Sequence, residues 1–181
     1  ILERPIEYES PAYAVWREAV AEEGAIVTQA RPGQVFAFED GAYLEVLSPP
    51  ELLLRGTDSD VNNASVVLRL VYGDVSFLLT GDILAVAEQA LVSQAVTLDS
   101  DVLKVAHHGS RSSSSDEFLR RVSPTVAVVS AGEGNRFGHP HPETVAALQR
   151  HAGEDRVLRT DESGDIEFVT DGKRLEVTTE R

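Results

Sequence analysis

Five histidines lie between positions 107 and 151, and four of them, His107, His108, His139 and His141, fall in two loops that follow strand-like segments. The chain has no cysteine, so a metal can be held only through imidazole nitrogen and carboxylate oxygen, the usual donors for catalytic Zn²⁺ or Mn²⁺ in a protein without thiolates. One carboxylate is placed to join them. Asp82 follows the apolar run Phe77-Leu78-Leu79 through Thr80-Gly81, so a strand end carries it toward a cleft at the sheet edge. Two roles are open to it: bridging a pair of cations, or capping the helix that follows the Gly81-Asp82 turn.

If the chain is extended at His107-His108, the two rings point to opposite sides. At most one is then a metal ligand while the other faces substrate or a supporting partner, and two solvated loop histidines are the alternative. The loop Asn135 to Pro142 ends at a helix N-terminus, where an anion can be held, and His139 is placed to donate to a phosphate there. The two His-Pro pairs can equally serve to stiffen the helix entry. Arg111 and Arg136 set cations beside the two histidine motifs, with solvated arginines as the plain alternative. The serine run from Ser112 to Ser115 is not read as nucleophilic. Ser114 with Glu117 forms a capping-box pattern, and nothing supplies the strained elbow of a serine hydrolase. Asp58-Ser59-Asp60 lacks the Gly and terminal Glu of a calcium loop and is read as a turn.

The elements that must carry these residues alternate. Ser10 as N-cap, Pro11 in the first turn and Gly24 as stop predict a helix. Residues 26–27, 35–36 and 43–47 read as short strands separated by turns, and a loop from Pro49 to Asp60 precedes a strand over 64–71. Gly73-Asp74 turns that strand into a second over 75–79, a hairpin. A helix with Leu84, Ala87 and Leu91 on one face follows, then a strand over 102–105, a helix starting from Ser114 and ending before Pro124, a strand over 125–129 and a helix from Pro142 to about Arg150. A closing hairpin, 165–170 with 174–178 about Asp171-Gly172, completes a mixed α/β class with helices covering sheet.

At 181 residues the chain suits one domain or a large part of one, and no apolar run approaches the roughly 20 residues that cross a bilayer. Sixteen Lys and Arg against thirty Asp and Glu leave a net charge of −14, which opposes non-specific binding of nucleic acid through a broad basic face. If phosphate is bound, metals and a few local cations must hold it.

Four motifs in order, Asn62-Asn63-Ala64-Ser65-Val66-Val67-Leu68, Phe77-Leu78-Leu79-Thr80-Gly81-Asp82, Asp101-Val102-Leu103-Lys104-Val105-Ala106-His107-His108-Gly109-Ser110 and Asn135-Arg136-Phe137-Gly138-His139-Pro140, resemble the C-terminal part of the metallo-β-lactamase-like domain of ComEC-type competence proteins. The resemblance runs over roughly residues 60 to 170. It implies an αββα sandwich of which residues 1–181 form the C-terminal portion, and two divalent cations, Zn²⁺ or Mn²⁺, in the intact domain. It also implies that Asp82 bridges the metals, that His108, directly before Gly, is a metal ligand, and that His107 is the acid/base or substrate-side residue. Ser110, Arg111, Asn135, Arg136 and His139 fall on the substrate side.

The implied activity is a metal-dependent phosphodiesterase that cuts DNA during uptake, with single-stranded DNA and a membrane channel of the same polypeptide as partners, no stable oligomer, and a place outside the cytoplasm on an inner-membrane protein. Alternatives are another hydrolase of the same fold, such as a phosphorylcholine esterase, and a non-catalytic transporter module. The superfamily's first metal motif, His-x-His-x-Asp-His, does not occur here, since no histidine precedes His107. The chain is therefore expected to begin after that motif, with an incomplete metal site and no activity by itself.

Overall fold

The computed structural model describes residues 1–6 and 10–181. Ser10 caps the first helix, α1 (Pro11–Glu22), by accepting a hydrogen bond from the Tyr13 N–H at 3.1 Å, and Gly24 follows it in the left-handed region. No residue of α1 is buried. Before and after it, β1 (Leu2–Glu3) and β2 (Thr28–Gln29) form a two-stranded parallel ribbon, two residues later than the strand expected at 26–27.

One seven-stranded mixed sheet dominates. Its antiparallel half runs β3 (Val35–Ala37), β4 (Tyr43–Ser48), β5 (Val67–Tyr72) and β6 (Val75–Leu79), and the β5–β6 hairpin turns at Gly73-Asp74 as the sequence implies. The strand expected over 64–71 starts later. Ser59 instead caps a helical turn, α2 (Asp60–Asn63), by accepting the Asn62 N–H, so the chain enters β5 only at Val67. The parallel half continues from β6 to β7 (Val102–Lys104), β8 (Val126–Val129) and β9 (Val157–Arg159).

The crossovers of this half are α3 (Ala85–Ser93), α4 (Asp116–Val122) and α5 (Pro142–Ala152). Their apolar residues Ala87, Leu91, Phe118, Leu119, Val122 and Leu148 are buried with Val67, Leu78, Leu103 and Ala127 of the sheet in one core. Each such fully buried large side chain contributes roughly 1.5–3 kcal/mol. After β9, a short helix α6 (Thr160–Ser163) leads to the hairpin β10 (Ile166–Thr170) and β11 (Leu175–Thr179), whose Phe168 meets Phe77 edge to face on the sheet. The observed architecture is thus one large mixed sheet with helices on its core face and two small two-stranded pieces elsewhere.

The capping box expected at Ser114 does not form. Ser115 is the N-cap of α4, without a side-chain cap bond, and Ser114 lies at φ +64°. The cap is supplied from α3: the fully buried Glu88 carboxylate accepts the Ser114 N–H at 2.5 Å and the Ser115 N–H at 2.9 Å. A carboxylate at a helix N-terminus satisfies orphan donors as a capping side chain does. Burial raises the Glu88 pKa above its ordinary value, and the two N–H donors oppose that rise.

Candidate metal and substrate site

Parallel strands direct their carboxyl ends to one edge, and loops leaving that edge make the ligand crevice of an open α/β sheet. Here β6, β7 and β8 are adjacent and parallel, so Asp82, His107-His108 and the loop from Ser130 to His141 come to the same edge. Backbone bonds join the loops: the His107 N–H donates to the Gly81 carbonyl at 3.1 Å and the His141 N–H to the Gly109 carbonyl at 3.0 Å. Thr80, fully buried, donates its hydroxyl to the Lys104 carbonyl at 2.6 Å. Burial pulls the Lys104 pKa below its ordinary value, and the nearby Asp82 charge opposes this.

Two glycines permit this closeness. At Gly81 (φ +56°) a Cβ would stand 2.8 Å from the Ser65 Cβ, and at Gly109 (φ +78°) one would stand 2.6 Å from the Pro140 Cβ.

His107 and His108 are not extended. Both lie in the left-handed region, at φ +48° and +56°, within the tight turn Ala106–Gly109, so the alternation of an extended chain does not separate their rings. They nevertheless face different partners. His108 Nδ1 is 2.7 Å from the Ser130 carbonyl oxygen. A carbonyl only accepts, so Nδ1 carries the proton, which leaves Nε2 as the ring's donor atom to a metal. That nitrogen stands 3.6 Å from Asp82 Oδ1, beyond hydrogen-bond range. Both atoms can face one cation at bonds of about 2.0–2.2 Å, and a carbonyl on the far imidazole nitrogen is the usual support of a ligating histidine. In donor chemistry and orientation the pair fits a divalent metal, but two protein donors fall short of the three or four such sites use. Among the described residues no group of three or more His, Asp or Glu side chains is arranged to hold a metal.

His107 belongs to another cluster. Its Nδ1 lies 3.4 Å from the Ser112 hydroxyl, and its ring meets His139 edge to face, with centroids 5.8 Å apart. His139 in turn packs on His141 at 4.9 Å. Burial, then the neighbouring His141, His107, His108 and Arg111, hold the His139 pKa below its ordinary value.

Of the residues expected on the substrate side, two have other employment. Ser110 is buried, its hydroxyl 3.0 Å from that of Ser112, and its carbonyl accepts from Thr144. Asn135 is spent inside its own loop. Its amide donates to the Gly132 and His139 carbonyls, and its oxygen accepts the Phe137 and His139 N–H groups. Both residues hold the loops in place through these bonds. Arg111 pairs at 3.5 Å with the exposed Glu143, and its N–H donates to His141 Nδ1. Arg136 is exposed and lies over the Phe137 ring.

The Asp82–His108 pair sits between two clefts. One, of about 400 Å³, lies under the loop after β8 and is lined by His108, Ser130, Ala131, Asn135, Phe137 and His139 among others. The other, of about 480 Å³, runs toward the chain's beginning past Asp82 and Ser65 to Tyr13 and Trp16.

Sequence reasoning gave no role to two residues that hold Asp82 and, two residues on, Leu84. The Ser65 hydroxyl accepts the Asp82 N–H at 3.2 Å, and the buried Asn63 accepts the Leu84 N–H at 3.0 Å while donating to Thr57. In the sequence both stand in the motif Asn62 to Leu68, whose resemblance marks the segment without giving either residue a role.

A family model described as the metallo-β-lactamase superfamily matches residues 11–133, which takes in α1 and stops short of the Asn135–Pro140 motif. The chain is 38% identical over 151 residues to ComE operon protein 3 of Bacillus subtilis (strain 168), covering 83% of this chain and 19% of that protein. It is 40% identical over 130 residues to the competence protein ComA of Neisseria gonorrhoeae (71% and 18%), and 36% identical over 141 residues to recombination protein 2 of Haemophilus influenzae (78% and 17%). The chain spans less than a fifth of the length of each of these relatives. The match over 11–133 joins with the mixed sheet and the His-Asp pair at its carboxyl edge: the chain belongs to the metallo-β-lactamase superfamily.

Proposed function

We propose that this domain, within a longer competence protein, is a metal-dependent phosphodiesterase that cuts single-stranded DNA during its uptake. The observation that carries the reading is the Asp82–His108 pair, with His108 held in one tautomer by the Ser130 carbonyl and its free nitrogen turned to the carboxylate. Asp82 and His108 would hold part of a site for two cations, Zn²⁺ or Mn²⁺, completed by donors from elsewhere in the parent. Such cations supply charge stabilisation for the phosphate and a nucleophile at neutral pH.

The chain's own residues do the rest. His107 and His139, ring to ring beside the pair, are the groups that can move a proton. Arg111 and Arg136 bring local positive charge to an acidic chain. The name of one relative, a competence protein, supports a role in competence; single-stranded DNA as substrate, a membrane channel of the same polypeptide as partner and a place outside the cytoplasm are parts of the proposal. Among the described residues no helix is long and apolar enough to cross a membrane.

The test is hydrolysis by the full-length parent with Mn²⁺ or Zn²⁺, comparing a single-stranded oligonucleotide with a phosphorylcholine ester. The expected result is DNA cleavage that is lost on chelation and on Asp82→Ala. Cleavage of the ester without DNA would replace this reading with that of an esterase, and no hydrolysis of either would leave a non-catalytic module.

A further inference from the structure

Phe137 is 63% exposed, a large apolar ring on a loop that has no reason to be soft. The four hydrogen bonds of Asn135 brace the loop from Gly132 to His139, so the ring is presented by a fixed backbone. It stacks on His139, with centroids 5.8 Å apart and planes 26° from parallel, and the Arg136 guanidinium lies 4.9 Å from its centroid. It also lines the same 400 Å³ cleft as His108, so an aromatic face and the candidate metal ligand share one space.

We propose that Phe137 is a stacking platform for a base of single-stranded nucleic acid whose phosphate lies at the Asp82–His108 pair. The inference rests on the phosphodiesterase reading and adds the feature that holds the substrate.

An aromatic face takes either a cation or another flat π system. A quaternary ammonium brought to Phe137 would meet the like charge of Arg136, whereas an uncharged base meets none and can stack beside the guanidinium as well. Charge points the same way. At a net −14 the chain has only a few local cations to set against phosphates, so affinity for a strand cannot rest on the backbone's charge alone and needs a contact of another kind. Stacking is such a contact, and because every base has a π face it needs no sequence preference.

The test uses this 181-residue chain and fluorescence anisotropy with a labelled oligothymidylate and an abasic strand of the same length and charge. The wild type should bind the oligothymidylate about ten-fold more tightly than the abasic strand, in line with the loss of one base–aromatic stack. Phe137→Ala should remove that difference, and Phe137→Trp should keep it. Because Phe137 is exposed, the alanine variant should melt with the wild type, so a loss of binding is not a loss of fold.

Equal affinity for the two strands in the wild type, or full discrimination in Phe137→Ala, would overturn the stacking role while leaving DNA cleavage by the parent to stand on its own assay. Tighter binding of phosphorylcholine than of oligothymidylate would overturn it too.

Discussion

Asn63→Ala should cost far more stability than its place on the edge of a four-residue helical turn suggests. Asn63 is 2% exposed, and its Oδ1 is the acceptor for the buried Leu84 N–H at the start of α3, a helix whose N-cap has no side-chain cap bond of its own. Removing the amide strands that N–H, which costs about 1–3 kcal/mol in a buried setting, and it also removes the bond to the partly buried Thr57 hydroxyl, worth about 0.5–1.5 kcal/mol. The sum, about 1.5–4.5 kcal/mol, is comparable to deleting a buried leucine side chain. At about 2–4 °C per kcal/mol for a chain of this size, the midpoint of thermal unfolding should fall by about 3–18 °C.

Ser65→Ala is the matched control, since it removes the acceptor for the Asp82 N–H in a cleft open to water and should cost under about 1 kcal/mol. Urea unfolding of the three proteins, followed by far-ultraviolet circular dichroism, measures both. A loss below about 0.5 kcal/mol for Asn63→Ala, or a larger loss for Ser65→Ala, would refute the claim that Asn63 ties the start of α3 to the turn before β5.

Gly109→Ala should destabilise by about 2–4 kcal/mol, combining a left-handed backbone with a Cβ pressed on Pro140, and calorimetry that shows no shift would contradict the packing described. Because burial raises the Glu88 pKa, the folded state keeps a proton there that the unfolded state has shed. This contribution to stability is present below the ordinary value of 4.5 and is lost as pH rises through the raised one. Urea midpoints from about pH 4 to about pH 7 should therefore favour wild type over Glu88→Gln most at the acid end, and parallel curves would show that Glu88 does not titrate in this window. In the metal-loaded parent, His108→Ala should lose bound metal by elemental analysis while His107→Ala keeps it and turns over more slowly, and exchanged outcomes would reverse the two roles. Arg136→Ala and His139→Ala should lower kcat/KM for single-stranded DNA more than for a small phosphodiester, and equal losses would place neither on the nucleic-acid backbone.

Local chemistry was legible in the sequence wherever one segment decides it. Ser10 and Pro11 start α1 where capping rules put them, and Gly73-Asp74 closes the β5–β6 hairpin. The failures share a cause. Ser114 and Glu117 have the spacing of a capping box, yet the cap comes from Glu88, 26 residues away on another helix, and no local rule sees it. The left-handed turn at His107-His108 is imposed by the tertiary bonds of its neighbours, among them the His107 N–H to Gly81. The four partners through which Asn135 braces its loop likewise become visible only when the loop has closed on itself. Residue types pointed to the metal chemistry, since without cysteine the donors had to be histidine and carboxylate. The side chains that orient those donors lie 17 or more residues from what they hold.

The joining of Asp82, His108 and Ser130 at the ends of three neighbouring parallel strands also sets the order of events when the chain folds. The hairpin of β5 and β6 can form early because its partners are close along the chain, but each parallel pairing must wait for a whole crossover helix to be laid down. The site is therefore completed after most of its scaffold. Opening of the β7–β8 pairing would part His108 from the Ser130 carbonyl, so the oriented donor pair is expected to fail under local opening that leaves the helices in place.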